Sequence, residues 1–416
     1  MPPLKRPSTA ADETGDLRPD PPTMRVAVLT NILPPYRVPA YQLLANTPGW
    51  QLRVMLNAES EFDRSWDVDP GDLDLEVIET ISLRRSDTTL HLPSPRRLLA
   101  ALGRFRPDAI VSAEFGARTL ISWLYCAWRS VPLVVWAEHT RARMRAAGPL
   151  RRLLSGFLAK RAGTVVVAGA ESRRTMRELG VSDDRILEAP NTHDTIVFAE
   201  VQNGLDVDAA RESRRAQLGC RSQVALVAGR LFSVKGIEPL LVSWQRLPEE
   251  VRSQWTLLFV GDGPLAQAVA DAVASRPDGE IVHVPAVQPR ELVGFYLTSD
   301  LLIFPSLGDV WGLAVNEAMA CGLPVVCSTR AGCAEDLIVA GENGWLADPL
   351  DVTAFTAALK QAMTCEHRNT LGERARTTLR PYTPEATAEG VRRAVRLARE
   401  MNGKRQPPHR GPRLSA

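Results

Sequence analysis

The sequence predicts an α/β protein of two doubly wound domains, each a parallel sheet with helices on both faces. Three observations carry this. The chain has 416 residues, more than a single core usually holds. Short apolar runs of strand length alternate with helical segments along most of it, the pattern of successive βαβ units. A more polar stretch, Asn203–Gln217, interrupts the alternation and places a boundary near Val197–Gln223, leaving two halves of similar size.

Order is expected to begin at Arg25–Leu29, an apolar run after a Pro-rich, polar start. Leu52–Leu56, Leu75–Ile78, Ala109–Val111, Leu133–Trp136 and Thr164–Ala168 read as the following strands. Pro39–Ala45, Ser94–Phe105 and Ser172–Leu179 read as helices between them, some opened by Pro or Ser. Past the polar stretch, strands are predicted at Val224–Ala228, Thr256–Val260, Ile281–Val284, Leu301–Phe304 and Val325–Cys327. Ala386–Met401 reads as a long last helix. The division expected is a disordered tail over 1–23, a first domain over 24–200 and a second over 201–383. A helix over 384–401 then returns towards the first domain, and a basic disordered tail covers 402–416.

Hydrophobic residues at 45% and charged residues at 24% are globular values. The net charge of +2 conceals an asymmetry: Arg84–Arg161 holds fifteen Arg or Lys against four Asp or Glu. Such a field favours phosphates or an anionic membrane surface; no nucleic-acid partner is expected. The six cysteines form no CxxC and no paired framework, and Cys321 and Cys327 sit in apolar context. No secretory signal is visible at the start. The most apolar stretch, Ile121–Trp136, is broken by Arg129 and Pro132 and is shorter than the ~20 residues a spanning helix needs. A cytoplasmic protein, at most peripheral on the inner face of the membrane, is expected.

The most informative segment is Pro305–Val326, PSLGDVWGLAVNEAMACGLPVV. It reads as a loop after the strand Leu301–Phe304, then a helix starting near Trp311 or Gly312 and stopped by Gly322 and Pro324. A helix N-terminus carries unpaired N–H groups that can hold a phosphate. Glu317, within the second turn, can accept both hydroxyls of a ribose. Asp309, in the loop, can reach a sugar. The same residues would also suit an ordinary βα turn with solvated acids. Upstream, VALVAGRLFSVKG runs a buried strand into Gly229, then Arg230 and Lys235, with Gly236 opening a helix. Two cations there can neutralise a diphosphate as its bond to a sugar breaks. Between these segments, FVGDGP places Gly261 in a tight turn at a strand's carboxyl end, where doubly wound sheets bind ligands.

Taken in order, GR…KG, VGDGP, EL…FY…SDLLIFPS, D-x7-E, EAMACGLPVV and GENGWL resemble the family 4 retaining glycosyltransferases (glycosyltransferase group 1) of the GT-B fold. That fold has two Rossmann-like domains facing an interdomain cleft. The resemblance covers roughly Val224–Leu346. It extends more loosely to TNILPPYRVPAYQLLA after the first strand and ILEAPNTHDTIVF near the junction. It implies a metal-independent transfer from a nucleotide-sugar donor, with no cofactor, to a hydroxyl acceptor such as a lipid-linked glycan or a polysaccharide precursor. Arg230 and Lys235 would hold the donor diphosphate, Glu317 the ribose, and the amides near Leu313 and Ala314 a phosphate. Gly229, Gly261, Val287 and Gly312 would line the same site. Asp309 stands where the family usually has Glu, so its reach to the donor sugar is one methylene shorter. Ala286 stands where Gly is frequent. A glycine-rich turn common after the first strand is replaced by Leu33-Pro34-Pro35-Tyr36.

In the first half, Val134–Thr140 ends a strand with Glu138 and His139, and the family often has a functional His near here. Spacing alone leaves both open, with Tyr36 as a further acceptor-side residue. His193 is expected to shape the junction near the cleft. The DxD patterns Asp67-Val68-Asp69 and Asp72-Leu73-Asp74 are set aside as metal sites, since they lie in a Pro- and Gly-containing loop of the other domain. The run Arg141–Arg161 has seven cations and no acid, with Leu150, Leu153, Leu154, Phe157 and Leu158 at helical spacing. This suits either an anionic bilayer or a helix packed on its own domain. Rival functions are glycosylation of a soluble small molecule, a nucleotide-sugar epimerase, a phosphorylase, or a non-catalytic nucleotide-sugar-binding protein. A dinucleotide-dependent dehydrogenase is disfavoured because no GxGxxG follows a strand.

Overall fold

The computed structural model describes residues 23–405 apart from 61–65, 67, 86–87, 205 and 277. The first domain runs β1 (Met24–Thr30), α1 (Val38–Ala45), β2 (Trp50–Leu56), β3 (Leu75–Val77), β4 (Thr80–Arg85), β5 (Thr88–Pro93), α2 (Pro95–Phe105) and β6 (Ala109–Ala113). It continues through α3 (Ala117–Arg129), β7 (Leu133–Ala137), α4 (Arg141–Ala146), α5 (Pro149–Arg161), β8 (Thr164–Val167), α6 (Ala170–Glu178) and β9 (Ile186–Glu188). Seven strands form a parallel sheet in the order β3-β2-β1-β6-β7-β8-β9, and β4 and β5 pair apart from it as an antiparallel hairpin.

The second domain opens with α7 (Thr195–Gly204), α8 (Val207–Leu218), β10 (Gln223–Ala228), α9 (Ile237–Gln245), α10 (Glu249–Arg252), β11 (Trp255–Val260) and α11 (Ala266–Ala274). β12 (Ile281–Val284), α12 (Pro289–Leu297), β13 (Leu301–Phe304), α13 (Leu313–Ala320), β14 (Val325–Ser328), α14 (Ala334–Leu337) and β15 (Gly344–Ala347) follow. The chain closes with α15 (Val352–Thr364), α16 (Arg368–Leu379) and α17 (Pro384–Arg405). Its parallel sheet has the order β12-β11-β10-β13-β14-β15.

Near-continuous Val, Leu, Ile and Ala runs make these strands, because a parallel strand is covered on both faces. Alternate residues feed two cores per domain. In the first domain Ala27, Leu29 and Ile110 face one layer, and Val26, Val28 and Val111 the other. In the second, Leu226 and Leu302 oppose Ala225 and Ile303. In each sheet the order reverses beside the first strand, between β1 and β6 and between β10 and β13. Such reversals open a crevice at the carboxyl ends of the strands.

Two boundaries differ from expectation. α7 spans the expected division at 200/201 and packs Phe198 into a core built mostly on the second domain's sheet. The last helix continues through Arg405, past the expected end at 401, so 402–405 are helical and not part of a tail. Its Ala388, Val391, Ala394, Val395 and Ala398 complete a core of the first domain. Crossing back requires close approach: a Cβ at Gly390 would lie 2.0 Å from the Glu188 carbonyl oxygen. Residues 1–22 and 406–416 lie outside the described residues.

Candidate active site

The second domain's carboxyl edge gathers the residues read from the sequence. Glycines let its loops interlock. A Cβ at Gly236 would sit 2.0 Å from the Pro305 carbonyl oxygen, and one at Gly261 would sit 2.0 Å from that of Gly229. Both have positive φ, +69° and +148°, so bulk and backbone each demand glycine. The first contact seats the loop after β10 on the loop after β13. Lys235 Nζ consequently stands 2.6 Å from Asp309 Oδ2. Burial pushes the Asp309 carboxyl up, but Lys235, a bond from Ser306 and the charge of Arg230 outweigh it and hold it below the usual range. Ser306 Oγ accepts the N–H groups of Gly308 and Asp309 and fixes this loop. The Arg230 guanidinium lies 4.9 Å from the Phe232 ring centre.

Gly312, also with positive φ, precedes α13, and no side chain caps the helix's first amides. Leu313 and Ala314 are half-buried there. Glu317 accepts a 2.6 Å hydrogen bond from the hydroxyl of fully buried Tyr296. Burial raises the Glu317 carboxyl above its ordinary range, with the Tyr296 bond and the Lys235 charge opposing. Val287 lies in the loop after β12, which is tied by the Ala286 N–H to Asp262 Oδ2 at 2.8 Å. Two cations, an uncapped helix N-terminus and a carboxylate one turn along thus share one edge.

On the first domain's edge the structure separates Glu138 from His139. Glu138 is ion-paired with Arg37, and the Arg37 guanidinium stacks 4.1 Å from the Trp136 ring centre. Burial works against the Arg37 charge, and Glu138, together with Tyr41 and Tyr36, more than restores it. His139 is 6% exposed, lies against Phe115 at 5.2 Å, and has a buried Nδ1 without a protein partner. Burial lowers its affinity for a proton, opposed by Glu114, so the ring is neutral near pH 7. Tyr36 stands in the short 3-10 turn Pro35–Arg37, beside the residue that holds Glu138.

Four residues that sequence reasoning did not single out complete the edges: Tyr296, Arg37, Asp262 and Asn316. Fully buried Asn316 receives the Trp311 indole N–H at 2.8 Å and donates to the Asn191 carbonyl at 3.1 Å. It ties α13 to the domain junction. Tyr296 lay within the quoted FY pair, but nothing in one sequence indicated that its hydroxyl meets Glu317.

His193 is buried edge-on to Phe198 at 4.8 Å, and burial pushes it down to about 4 from its ordinary 6.5. The unfolded chain therefore binds a proton between those values that the native state refuses, so stability falls as pH drops from about 6.5 to about 4. Replacing His193 with Leu is expected to make that loss shallower. Urea unfolding at about pH 7 and about pH 5 checks it; an unchanged pH dependence refutes it.

Of the DxD acids, Asp67 lies outside the described residues. Asp69 accepts the Gly71 N–H and Asp74 binds Arg53. Among the described residues no group of three or more His, Cys, Asp or Glu side chains could hold a metal ion. All six cysteines are free, and burial pushes the Cys321 thiol up to about 12. No helix among the described residues is long and apolar enough to cross a membrane.

Comparison with known proteins bears on this arrangement. The family described as glycosyl transferases group 1 matches residues 210–378, and a glycosyl transferase 4-like domain matches residues 25–192. The chain belongs to the group 1 glycosyltransferases. A D-inositol 3-phosphate glycosyltransferase of Xylanimonas cellulosilytica is 31% identical over 60% of this chain and 62% of its own length. The sulfoquinovosyl transferase SQD2 of Arabidopsis thaliana is 26% identical over 73% and 59%. An O-antigen chain mannosyltransferase B of Escherichia coli is 34% identical over 33% and 36%. The matches thus span less than two thirds of these relatives. Among solved structures, the sucrose-phosphate synthase of Thermosynechococcus elongatus has a TM-score of 0.68 at 18% identity, covering 90% of this chain and 98% of its own. HepE of Anabaena, in complex with UDP, has a TM-score of 0.69 at 16% identity, covering 90% and 100%. These likenesses establish the GT-B fold for this glycosyltransferase-family chain.

Proposed function

We propose that this chain transfers a sugar from a nucleoside diphosphate sugar to a hydroxyl acceptor, with retention and without a metal. The observation that carries this reading is the 2.6 Å Lys235–Asp309 pair beside the uncapped start of α13. In this reading Arg230, Lys235 and the first amides of α13 hold the diphosphate, and Glu317 takes the ribose. Asp309, kept ionised by Lys235, receives hydroxyls of the donor sugar. The bond from sugar C1 to the diphosphate oxygen breaks, and its electron pair leaves with the phosphate, whose charge the two cations stabilise. The acceptor oxygen bonds to C1 from the same face and gives its proton to the departing phosphate oxygen. Two cations supply the charge that a divalent ion would otherwise bring.

At the acceptor edge the geometry favours His139. Glu138 already has a charged partner, whereas His139 has no ion-pair partner among the described residues, and a neutral imidazole offers one nitrogen as donor and the other as acceptor. Glu138 then acts by holding Arg37 and the loop before α1. The structures of HepE with UDP and with UDP-glucose support testing a uridine donor first. Hydrolysis and thermal-shift measurements over UDP-, GDP-, ADP- and dTDP-sugars test the proposal. Stabilisation and slow hydrolysis with one nucleotide series are expected. No response to any series overturns it. Activity is expected to persist in EDTA; a strict Mg²⁺ requirement refutes the metal-free reading.

A further inference from the structure

The basic helical run of the first domain does not pack as one amphipathic unit. It breaks at Ala147-Gly148-Pro149 into α4 and α5. Of its apolar residues, Leu158 is fully buried and Leu154 packs against the core. Leu150 and Leu153, by contrast, are 78% and 72% exposed. Together with half-exposed Phe157 they recur at helical spacing and form a stripe turned away from the sheet.

That stripe continues onto α3. Trp123 meets Phe157 edge-on at 4.9 Å, and one turn apart Leu124 and Trp128 are 53% and 77% exposed. Isolated exposed apolar residues need no explanation, but a run of large ones across two adjoining helices does.

Cations frame the stripe. Arg129 lies beside Trp128 and Arg161 beside Phe157, each at 5.4 Å. Arg151 and Arg152 are exposed on α5, and neither helix contains an acid. Among the described residues, Arg151 and Arg152 make no ion pair. Arg141 and Arg145 do, with Glu171 and Glu178, so only part of the basic run is available to a ligand.

We propose that the outer faces of α3 and α5 form a docking surface for an anionic lipid bilayer. Leu150, Leu153 and Trp128 enter the acyl boundary while Arg129, Arg151, Arg152 and Arg161 meet lipid phosphates. This division suits a bilayer, where apolar side chains insert and guanidinium groups stay at headgroup depth. The surface also leads directly from His139, since α4 starts at Arg141 and α5 follows. An acceptor hydroxyl carried on a lipid headgroup would arrive at the same edge. The inference rests on this surface alone and is independent of the donor assignment.

The test is sedimentation of the full chain with vesicles of phosphatidylglycerol and phosphatidylcholine, against phosphatidylcholine alone. Binding to the mixed vesicles at low salt, lost on adding NaCl, is expected. Leu150→Ser with Leu153→Ser is expected to lower the partition coefficient by about tenfold or more, and Arg151→Glu with Arg152→Glu to abolish it. Neither pair is buried, so melting temperatures are expected to match the wild type. Three results overturn the proposal. Wild type ignoring mixed vesicles at low salt is one. Loss in the charge variant with full binding in the leucine variant is another, since it means adsorption without insertion. A wild-type dimer in sedimentation velocity, dissolved by the leucine substitutions and paired with no vesicle binding, is the third and assigns the face to a second copy.

Discussion

Arg230→Ala is expected to lower kcat by on the order of 10²-fold or more while leaving the melting temperature close to wild type. That is the scale for removing one preorganised group aimed at developing charge. Lys235→Ala is expected to lose as much activity and also stability, because Asp309 then remains only 21% exposed and ionised, with its nearest cation gone. Lys235→Ala with Asp309→Asn separates the two effects: it is expected to recover most of the stability and none of the activity. Steady-state kinetics on the preferred nucleotide sugar, with thermal melts of each variant, make the measurement. Wild-type turnover in both single variants would remove these cations from the mechanism. Stability that stays low in the double variant would show that the Lys235 side chain packs and does not merely pair.

Glu317→Gln is expected to weaken free nucleoside diphosphate binding by about ten- to a hundredfold, the value of a charged hydrogen bond lost from a partly buried site. Tyr296→Phe removes only the bond that orients Glu317, so a smaller loss in the same direction is expected. Asp309→Ala is expected to behave differently. It frees Lys235 from its 2.6 Å partner, so affinity for the free diphosphate is expected to hold or rise while turnover falls. Isothermal titration with the free nucleoside diphosphate, alongside turnover of the sugar, distinguishes the roles. Asp309→Ala weakening the free nucleotide as much as Glu317→Gln would show that the two acids do not divide the donor between ribose and sugar.

Much of this was legible in one dimension because the physics behind it is local. Val, Leu and Ile runs buried on both faces announce parallel strands, and the helices between them follow from the crossover that parallel pairing requires. The position of the second domain's carboxyl-edge residues was legible for the same reason. Gly229, Arg230, Lys235, Gly236 and the Asp309–Glu317 span are fixed by strand ends and a helix start, so their spacing carries their placement. Elements with weak local signals were not legible. β9 has three residues, β15 starts at Gly344, and the β4–β5 hairpin is paired apart from either sheet. β9 and β15 are edge strands of three and four residues and the hairpin joins neither sheet, so no long apolar run buried on both faces marks any of them.

Sequence by itself determined the family, the two-domain α/β architecture and which residues stand at the second domain's carboxyl edge. Only the tertiary structure decided how they are engaged. Lys235 meets Asp309 because a glycine contact at Pro305 brings two loops together across more than seventy residues of chain. Glu138 is occupied because Arg37, from the other side of the sheet's reversal, reaches it. Leu150 and Leu153 face outward because the break before Pro149 sets the rotation of α5, leaving Leu158 alone of the three fully inside. Periodicity says that a helix has an apolar face. Which neighbour that face meets, or whether it meets any, is settled by packing between segments that sequence order does not relate.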